Sequence, residues 1–364
     1  MDKDLNRYEF LIEPVKIYAC SIVSMVGFIL TTLSYMVFNS TYFRKVDKEK
    51  FKNYELYFYL RIESIFICLN LFFQILRIIF FNKALQHEYI SIIFELYLLD
   101  YFAGVLEMSA IIYHILSTFN FYIIVSNLNN KCCSIKCCKM SGHNRLACLI
   151  VFFFSCIQFI YKIIGKNVEK NCNNSTRCIY EIENNQFGIS DTFKIWEIIA
   201  FLIRDFCVLI SLIVLNILIY IKVNKSIKYK KSILELSFSI ETSSNMLEHK
   251  PIDQTNPRKS LVRLEKAKIS TSIMVICSCL NNALGKIPIC IFYLLKNTII
   301  KEKDKDKRDA LYLFQIFAIF FVYLNYCGCF FIYYFSNKSF KLVLRQYFKP
   351  FFSKFSKTQI TPSK

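Results

Sequence analysis

The chain has 364 residues, of which 55% are hydrophobic and 17% aromatic, and its 46 lysines and arginines exceed its 27 acidic residues by 19. Its 37 phenylalanines, beside only 7 glycines and 6 prolines, exclude a soluble basic nucleic-acid-binding protein, which would have basic faces and Gly- and Pro-rich turns. The same apolar content excludes an intrinsically disordered chain.

Seven long apolar segments, taken in chain order, predict membrane-spanning helices. Each has roughly the 20 residues or more that cross a bilayer as a helix, and each is apolar on nearly all sides. Helices satisfy their own backbone groups in lipid, and no strand periodicity suggests a β-barrel. We therefore predict an all-α membrane protein, a seven-transmembrane helix bundle with a short amphipathic C-terminal helix. The predicted spans are 15–40, 55–81, 89–125, 147–165, 195–221, 269–295 and 310–335.

The segments outside the spans are polar. Residues 1–14 carry four acids, so we expect no cleaved signal peptide and a first span that remains as an anchor. In the loop 222–268 we predict helical extensions of spans five and six around a Ser-rich middle. The tail 336–364 places apolar residues at helical spacing over 337–356, a pattern that Pro350 ends, and this predicts a helix in the membrane interface. The apolar residues are Phe340, Val343, Leu344 and Tyr347.

Basic residues in short loops stay cytoplasmic, so their distribution predicts the orientation. One side of the predicted membrane holds 27 Lys and Arg against 7 acids, in segments 41–54, 126–146, 222–268 and 336–364. The other side holds 13 of each, although six of those basics in segment 296–309 argue weakly against the assignment. We therefore expect a plasma-membrane protein with its N-terminus outside and its C-terminus in the cytoplasm.

The loop 166–194 lies outside in this orientation. Asn173 and Asn174 each begin an Asn-x-Ser/Thr sequence and are the predicted N-glycosylation sites. Cys172 and Cys178 flank them in a compartment where disulfides persist. The sequence leaves two alternatives for these cysteines, a disulfide bond or two separate thiols.

The end of span seven carries the most specific motif in the chain. Residues 325–341 have the sequence NYCGCFFIYYFSNKSFK. This stretch resembles the N-P-x-x-Y motif of the rhodopsin-like (class A) G-protein-coupled receptors, specifically the divergent receptors of some invertebrates. The resemblance makes Tyr333 the motif tyrosine, Phe340 the start of the eighth helix, and Asn325 a further family asparagine. Cys329 and Phe330 stand where the family has Asn-Pro.

Two other spans carry weaker matches to that family. Asn120, Phe121 and Tyr122 look like its Asp/Glu-Arg-Tyr motif, with Phe121 in place of the arginine that is the family's main contact with the G protein. Pro288 is similar to the proline of its Cys-Trp-x-Pro motif, with Lys286 in the tryptophan's position. The resemblance implies a receptor that takes an extracellular ligand and acts on a heterotrimeric G protein.

Ionisable residues at membrane depth are costly and normally face the bundle interior. Asp100, Glu107 and His114 are seven residues apart each time, so they share one face of span three, which should look inward. A packed, hydrogen-bonded role is the ordinary interpretation of His114, and we expect no metal site. The other intramembrane polar residues are Glu63, Glu197 and Asp205.

Charged residues of spans two, five and six can pair with this face of span three, and in the receptor resemblance Lys286 of span six faces Glu107. We predict an ion pair between Glu107 and Lys286, which either locks one packing of the bundle or contacts a ligand. Asp100 and Arg204 lie nearer the outer ends of their spans and are the better candidates for ligand contact. The acid would select an amine or the basic part of a peptide, and the guanidinium would take a carboxylate.

The loop 126–146 holds two Cys-Cys pairs among lysines, close to the membrane. S-palmitoylation is the favoured interpretation, with free thiols next and a metal site last, because the pairs lack the usual C-x₂-C spacing. The four cysteines are Cys132, Cys133, Cys137 and Cys138.

No enzyme motif occurs in the sequence, such as a Walker loop, G-x-S-x-G or H-E-x-x-H, and we expect neither an enzyme nor a cofactor. The expected partners are a small-molecule or peptide ligand, a G protein, and anionic membrane lipids, but no nucleic acid. Two alternatives are a seven-span transporter and a chemoreceptor-like channel, the latter with its N-terminus inside.

Glycosylation tests the predicted orientation. Replacing both Asn173 and Asn174 by Gln should abolish the mass loss that peptide N-glycosidase produces on the protein expressed in cells, because only an external loop receives the glycan. The control Asn167→Gln, in the same loop but outside an acceptor sequence, should keep that mass loss. An unmodified loop that cytosolic reagents reach would reverse the orientation.

Overall fold

The computed structural model describes residues 19–49, 56–80, 88–127, 144–172, 178–225, 255–299 and 305–358. Within them, seven helices are long and apolar enough to cross a membrane, which confirms the all-α seven-helix bundle. The spans, numbered one to seven, are Cys20–Phe38, Leu56–Arg77, Tyr89–Ser126, Leu146–Ile164, Asp191–Lys225, Ser270–Lys296 and Leu313–Ser336. Their ends lie within a few residues of the predicted ones.

The individual helices extend or divide these spans. The helices of the described chain are Cys20–Phe38, Thr41–Glu49, Leu56–Phe80, Tyr89–Ile93, Ala103–Asn127, Asn144–Ile164, Gln186–Ile189, Asp191–Phe201, 208–225, Thr255–Ile299, Lys305–Ser336 and Lys338–Thr358. The helix of span six begins at Thr255, before the span itself at Ser270, as the predicted extension requires, whereas the described helix of span five ends with its span at Lys225. The short helix Thr41–Glu49 in the first loop was not predicted.

The bundle core lies toward the end of span seven. Phe38, Tyr57, Phe121, Tyr333 and Phe340 are buried together there, so spans one, two, three and seven share one aromatic cluster with the tail helix Lys338–Thr358. The ring centroid of Phe38 lies 5.1 Å from that of Tyr333 and 5.3 Å from that of Phe340. Span four is the least buried span, and its exposed side chains are apolar ones suited to lipid.

Two spans contain π-helical segments, which were not predicted. They are Phe94–Phe102 in span three and Leu202–Cys207 in span five. Each carries two charged residues, Glu95 and Asp100 in the first and Arg204 and Asp205 in the second. π-helical turns occur frequently at functional sites, and here they hold charges that face the bundle.

Both prolines that bear on the predicted helices lie inside continuous helix. Span six continues through Pro288 without a break. The tail helix continues through Pro350 to Thr358, so the expectation that Pro350 ends the pattern is wrong. Proline costs a backbone hydrogen bond to the residue four positions earlier, which here is Gln346, an exposed residue whose carbonyl can turn to solvent.

The predicted external loop contains a β-hairpin that the sequence pattern did not reveal. The strands Lys166–Cys172 and Cys178–Asn184 pair antiparallel, with Cys172 opposite Cys178. The hairpin covers the N-terminal end of span three, where the ring centroids of Tyr89 and Tyr180 lie 5.3 Å apart. It leads into span five through Ser190, whose hydroxyl accepts a hydrogen bond from the Phe193 amide.

Several predicted features lie outside the described residues. They are the N-terminal segment 1–14, the acceptors Asn173 and Asn174, and the cysteines Cys132, Cys133, Cys137 and Cys138. For Cys172 and Cys178 the structure describes the backbone alone.

We predict a disulfide between Cys172 and Cys178. Directly opposed residues in an antiparallel pair have Cα atoms about 4.5–5.5 Å apart, within the range that a disulfide requires. Alkylation without reductant, followed by peptide mass spectrometry, should find the two cysteines linked. Cys172→Ser and Cys178→Ser should each remove the link and destabilise the hairpin by about 2 kcal/mol, and the double substitution should add nothing further. Two alkylated thiols in the native protein would contradict the prediction.

Candidate functional site

Four charged side chains meet inside the bundle, contributed by spans three, five and six. Lys286 Nζ lies 2.5 Å from Glu107 Oε1 and 3.3 Å from Asp205 Oδ1. The predicted ion pair between Glu107 and Lys286 is therefore present, and Asp205 is a second partner that the sequence did not predict. Arg204 completes this group, and we call these four residues the charge cluster.

Arg204 is held by a carboxylate and by two aromatic rings. Its Nε and Nη2 donate to Asp205 Oδ2 at 2.8 and 2.5 Å. Its guanidinium carbon lies 5.6 Å from the ring centroid of Phe159 and 5.4 Å from that of Tyr293, within the range of cation–π attraction. Span four therefore contributes to the charge cluster through an aromatic ring.

The charge cluster contains two acids and two bases, so its formal charge is zero. Pairing is what makes such groups tolerable in a low-dielectric interior, because an isolated buried charge is strongly destabilising. The four side chains differ in exposure, with 26% for Glu107, 13% for Arg204, 6% for Lys286 and 1% for Asp205. Glu107 is thus the most exposed member of the charge cluster.

Asp100 lies apart from the charge cluster, under the β-hairpin. Its Oδ2 accepts a hydrogen bond from Lys166 Nζ at 2.6 Å, and its backbone carbonyl accepts one from Lys162 Nζ at 3.1 Å. Glu197 forms a second outer ion pair with Lys296 at 2.9 Å, and both side chains are about one-third exposed. Of the predicted ligand-pocket residues, the structure brings together Glu107, Arg204 and Lys286, and it places Asp100 in the outer layer.

A second buried network lies deeper in the bundle around His114. Its Nδ1 is 3.0 and 3.1 Å from the two carboxylate oxygens of Glu63, and its Nε2 is 3.4 Å from Cys279 Sγ. Thr118 Oγ1 lies 3.1 Å from the same sulfur. His114 is packed and hydrogen-bonded, as expected, and the network joins spans two, three and six. The Glu63 and Cys279 partners could not be assigned from spacing alone.

The predicted stripe on span three therefore faces inward at three depths. Asp100 contacts the hairpin, Glu107 contacts span six in the charge cluster, and His114 contacts Glu63 of span two. One face of the helix thus meets a different partner at each of the three positions.

Spans six and seven are joined by hydrogen-bonded asparagine side chains, an amide layer that was not predicted from the sequence. Asn281 Nδ2 donates to the backbone carbonyl of Asn325 at 2.9 Å and also to its side-chain oxygen, while Asn325 Nδ2 donates to Asn282 Oδ1 at 2.8 Å. Adjacent asparagines in an apolar span are the sequence signal that could have indicated it. Gly285 and Gly328 permit this contact, because an added Cβ would lie 2.8 Å from Asn325 Cβ or from Asn281 Oδ1 respectively.

The residues that resemble the Asp/Glu-Arg-Tyr motif and the motif tyrosine lie at the same end of the bundle. Phe121 is 2% exposed in the aromatic cluster, where the family has a charged arginine. Tyr333 is buried, with its hydroxyl 3.4 Å from Ser278 Oγ. Asn120 is buried and Tyr122 half-buried. These positions form a packed core rather than an open polar surface.

No protein-family model and no curated protein matches this chain. Within the described parts of the chain, no three His, Cys, Asp or Glu side chains are arranged to hold a metal ion. The chemistry that the interior offers is ionic pairing and hydrogen bonding between spans.

Removing a buried ion-pair partner should lower the free energy of unfolding far more than removing an exposed one. Glu63→Ala leaves His114 without its carboxylate, and we expect it to destabilise the bundle by about 3 kcal/mol. The matched control Glu197→Ala removes the one-third-exposed acid of the outer pair and should cost less than about 1 kcal/mol. Unfolding of the purified protein in detergent measures both. Equal losses would mean that the Glu63–His114 contact does not stabilise the fold.

Proposed function

We propose that this protein is a plasma-membrane receptor that binds an extracellular amine, or the basic part of a peptide, at Glu107. The ligand then changes the packing of spans three, five and six and so acts on a cytoplasmic G protein. The observation that carries the proposal is the position of Lys286, which lies between two carboxylates on two different spans.

Lys286 supplies a two-state element. It contacts Glu107 at 2.5 Å and Asp205 at 3.3 Å, so it can lose the first carboxylate and keep the second. A ligand ammonium that binds Glu107 competes with Lys286 directly. The released lysine then draws closer to Asp205, and every charge remains paired. A ligand shifts the equilibrium only by the difference in its affinity for the two packings, and this competition supplies that difference.

Span six carries the change inward. Cys279 precedes Lys286 by seven residues, which places both on nearly the same helix face. A rotation that moves Lys286 toward span five therefore also moves Cys279 relative to His114, 3.4 Å away. Pro288 cannot donate a backbone hydrogen bond, which makes the outer part of span six the easier part to bend.

The G protein is proposed as the transducer on the resemblance at 325–341 and on the basic cytoplasmic segments. Phe121 is an apolar side chain and it is buried. It therefore offers no charge at the position where the family has an arginine. In this proposal Tyr122, Tyr333 and the basic third loop are the cytoplasmic elements of the receptor.

A transporter or channel is the second candidate, favoured by one observation. The bundle holds three separate polar groups, the charge cluster, the amide layer and the Glu63–His114 network, and an ion or proton that crossed the bundle could move from one to the next. Against it, no internal repeat and no pair of broken spans is evident, which are the usual signs of a transporter site.

Substitutions at the two ends of the ion pair test the receptor proposal. Glu107→Gln should lower amine potency at least about tenfold, since a charged contact is replaced by a neutral one. Lys286→Met should raise basal signalling, because it removes the pair that the ligand displaces. Cells carrying a panel of G-protein activation sensors, screened with amines and short peptides, provide the measurement, and Phe121→Arg tests whether the missing charge limits coupling.

The outer pair provides the control. Glu197→Gln and Lys296→Met remove an ion pair of the same type outside the charge cluster and should leave basal activity and potency unchanged. If Glu107→Gln and Lys286→Met also change neither, the two-state element is wrong. Ionic currents in cells that lack any G protein would favour the channel instead.

A further inference from the structure

The junction of span seven and the tail helix forms a basic groove with an apolar edge. Lys338, Lys341, Arg345 and Lys349 line it together with aromatic and aliphatic side chains, around a volume of about 740 Å³. The chain has no Asp or Glu after Asp309. The four cations therefore have no acidic residue near them in the sequence, and no carboxylate of the described residues lies within ion-pair distance of them.

The tail helix separates its two kinds of side chain. Phe340, Val343 and Leu344 are buried against the aromatic cluster. The four basic residues follow one another at intervals of three, four and four, so they form a stripe on the opposite side of the helix. Packing of the apolar face thus fixes the direction in which the charges point.

The groove also offers apolar surface. Phe335 is 76% exposed and Leu342 is 54% exposed, and both line it. The Lys341 ammonium lies 4.9 Å from the ring centroid of Tyr334. This cation–π contact holds the charge at the end of the groove nearest span seven. Because span seven crosses the membrane and the tail helix leaves it, this junction lies at the level of the lipid headgroups.

We propose that the groove binds a membrane lipid whose headgroup carries two or more phosphates, such as a bisphosphorylated inositol lipid. Eleven residues separate the first and last cation, about 16 Å along a helix, which is too long for one phosphate to neutralise. Several phosphates on one headgroup can each contact two neighbouring cations, and the acyl chains then lie along Phe335 and Leu342. Clusters of four or more basic residues next to a span are typical of such lipid binding.

This inference does not rest on the proposed receptor function. The lipid would hold the tail helix against the aromatic cluster, where Phe340 contacts Phe38 and Tyr333. It would therefore act on the same end of span seven as the motif tyrosine.

The test uses the full chain in phosphatidylcholine nanodiscs that contain either phosphatidylinositol 4,5-bisphosphate or phosphatidylserine at matched total charge. Native mass spectrometry counts the lipid that remains bound, and both faces of a nanodisc are accessible, so the result does not depend on orientation. The wild-type chain should retain the bisphosphate lipid in preference to phosphatidylserine. The variant K338Q/K341Q/R345Q/K349Q should lose at least about tenfold in apparent affinity for it.

A matched control removes four other basic residues, in the variant R44Q/K45Q/K222Q/K225Q. It should bind the bisphosphate lipid within about twofold of wild type if the groove, rather than net charge, is responsible. Both variants are first shown to unfold at the wild-type temperature, and if the fourfold groove variant does not, the pair R345Q/K349Q replaces it, since both residues are exposed.

Soluble inositol trisphosphate distinguishes a lipid from a free phosphate compound. It should compete weakly, and F335S/L342S should weaken lipid binding without changing binding of the soluble headgroup. Three results would each overturn the proposal: equal retention of phosphatidylserine, no effect of the groove variant, or soluble headgroup binding as tight as the lipid.

Discussion

The cost of placing a charge in a low-dielectric interior governs the arrangement of this bundle. Lys286 cannot stay charged in the middle of span six unless a carboxylate meets it, and it meets two. That requirement draws spans three and five toward span six from different directions. Arg204 in turn needs Asp205 and the rings of Phe159 and Tyr293, so span four is recruited as well. Four of the seven spans are thus held around one electroneutral group.

The interior below this group contains further polar contacts at successive depths. The asparagines of spans six and seven and the Glu63–His114–Cys279 contacts each join spans by hydrogen bonds. Hydrogen bonds between transmembrane helices contribute modestly, because polar groups in the separated helices also find partners. The amide layer between spans six and seven can therefore rearrange at small cost, unlike the charge cluster and the buried Glu63–His114 pair, and it suits a bundle that changes its packing.

The sequence was sufficient for the features that depend on composition and on helical spacing. Span positions follow from apolar length, and the Glu107–Lys286 pair was predicted from two opposite charges at membrane depth whose positions face each other in the receptor resemblance. The Asp205 contact was not predictable, because it depends on the π-helical turn that sets the direction of residues 202–207. The hairpin was missed because its strands are short and polar, and their pairing depends on the spans on either side. The prediction that Pro350 ends the helical pattern was wrong. The free-energy cost of a proline inside a helix depends on whether the backbone carbonyl that loses its hydrogen bond faces water.

The π-helical turns have a consequence for how the charge cluster and the backbone depend on each other. A π-helical turn accommodates one residue more than an α-helical turn, so its removal would rotate the rest of the span by about 100°. In span five such a change would rotate Arg204 and Asp205 relative to the outer or the inner half of the helix, and one of the two ends would lose its present contacts. The ion pairs thus fix the backbone register of span five as much as the register positions the ion pairs. Any motion that carries the extra residue along the helix would convert a change in charge pairing into a rotation of the span about its own axis.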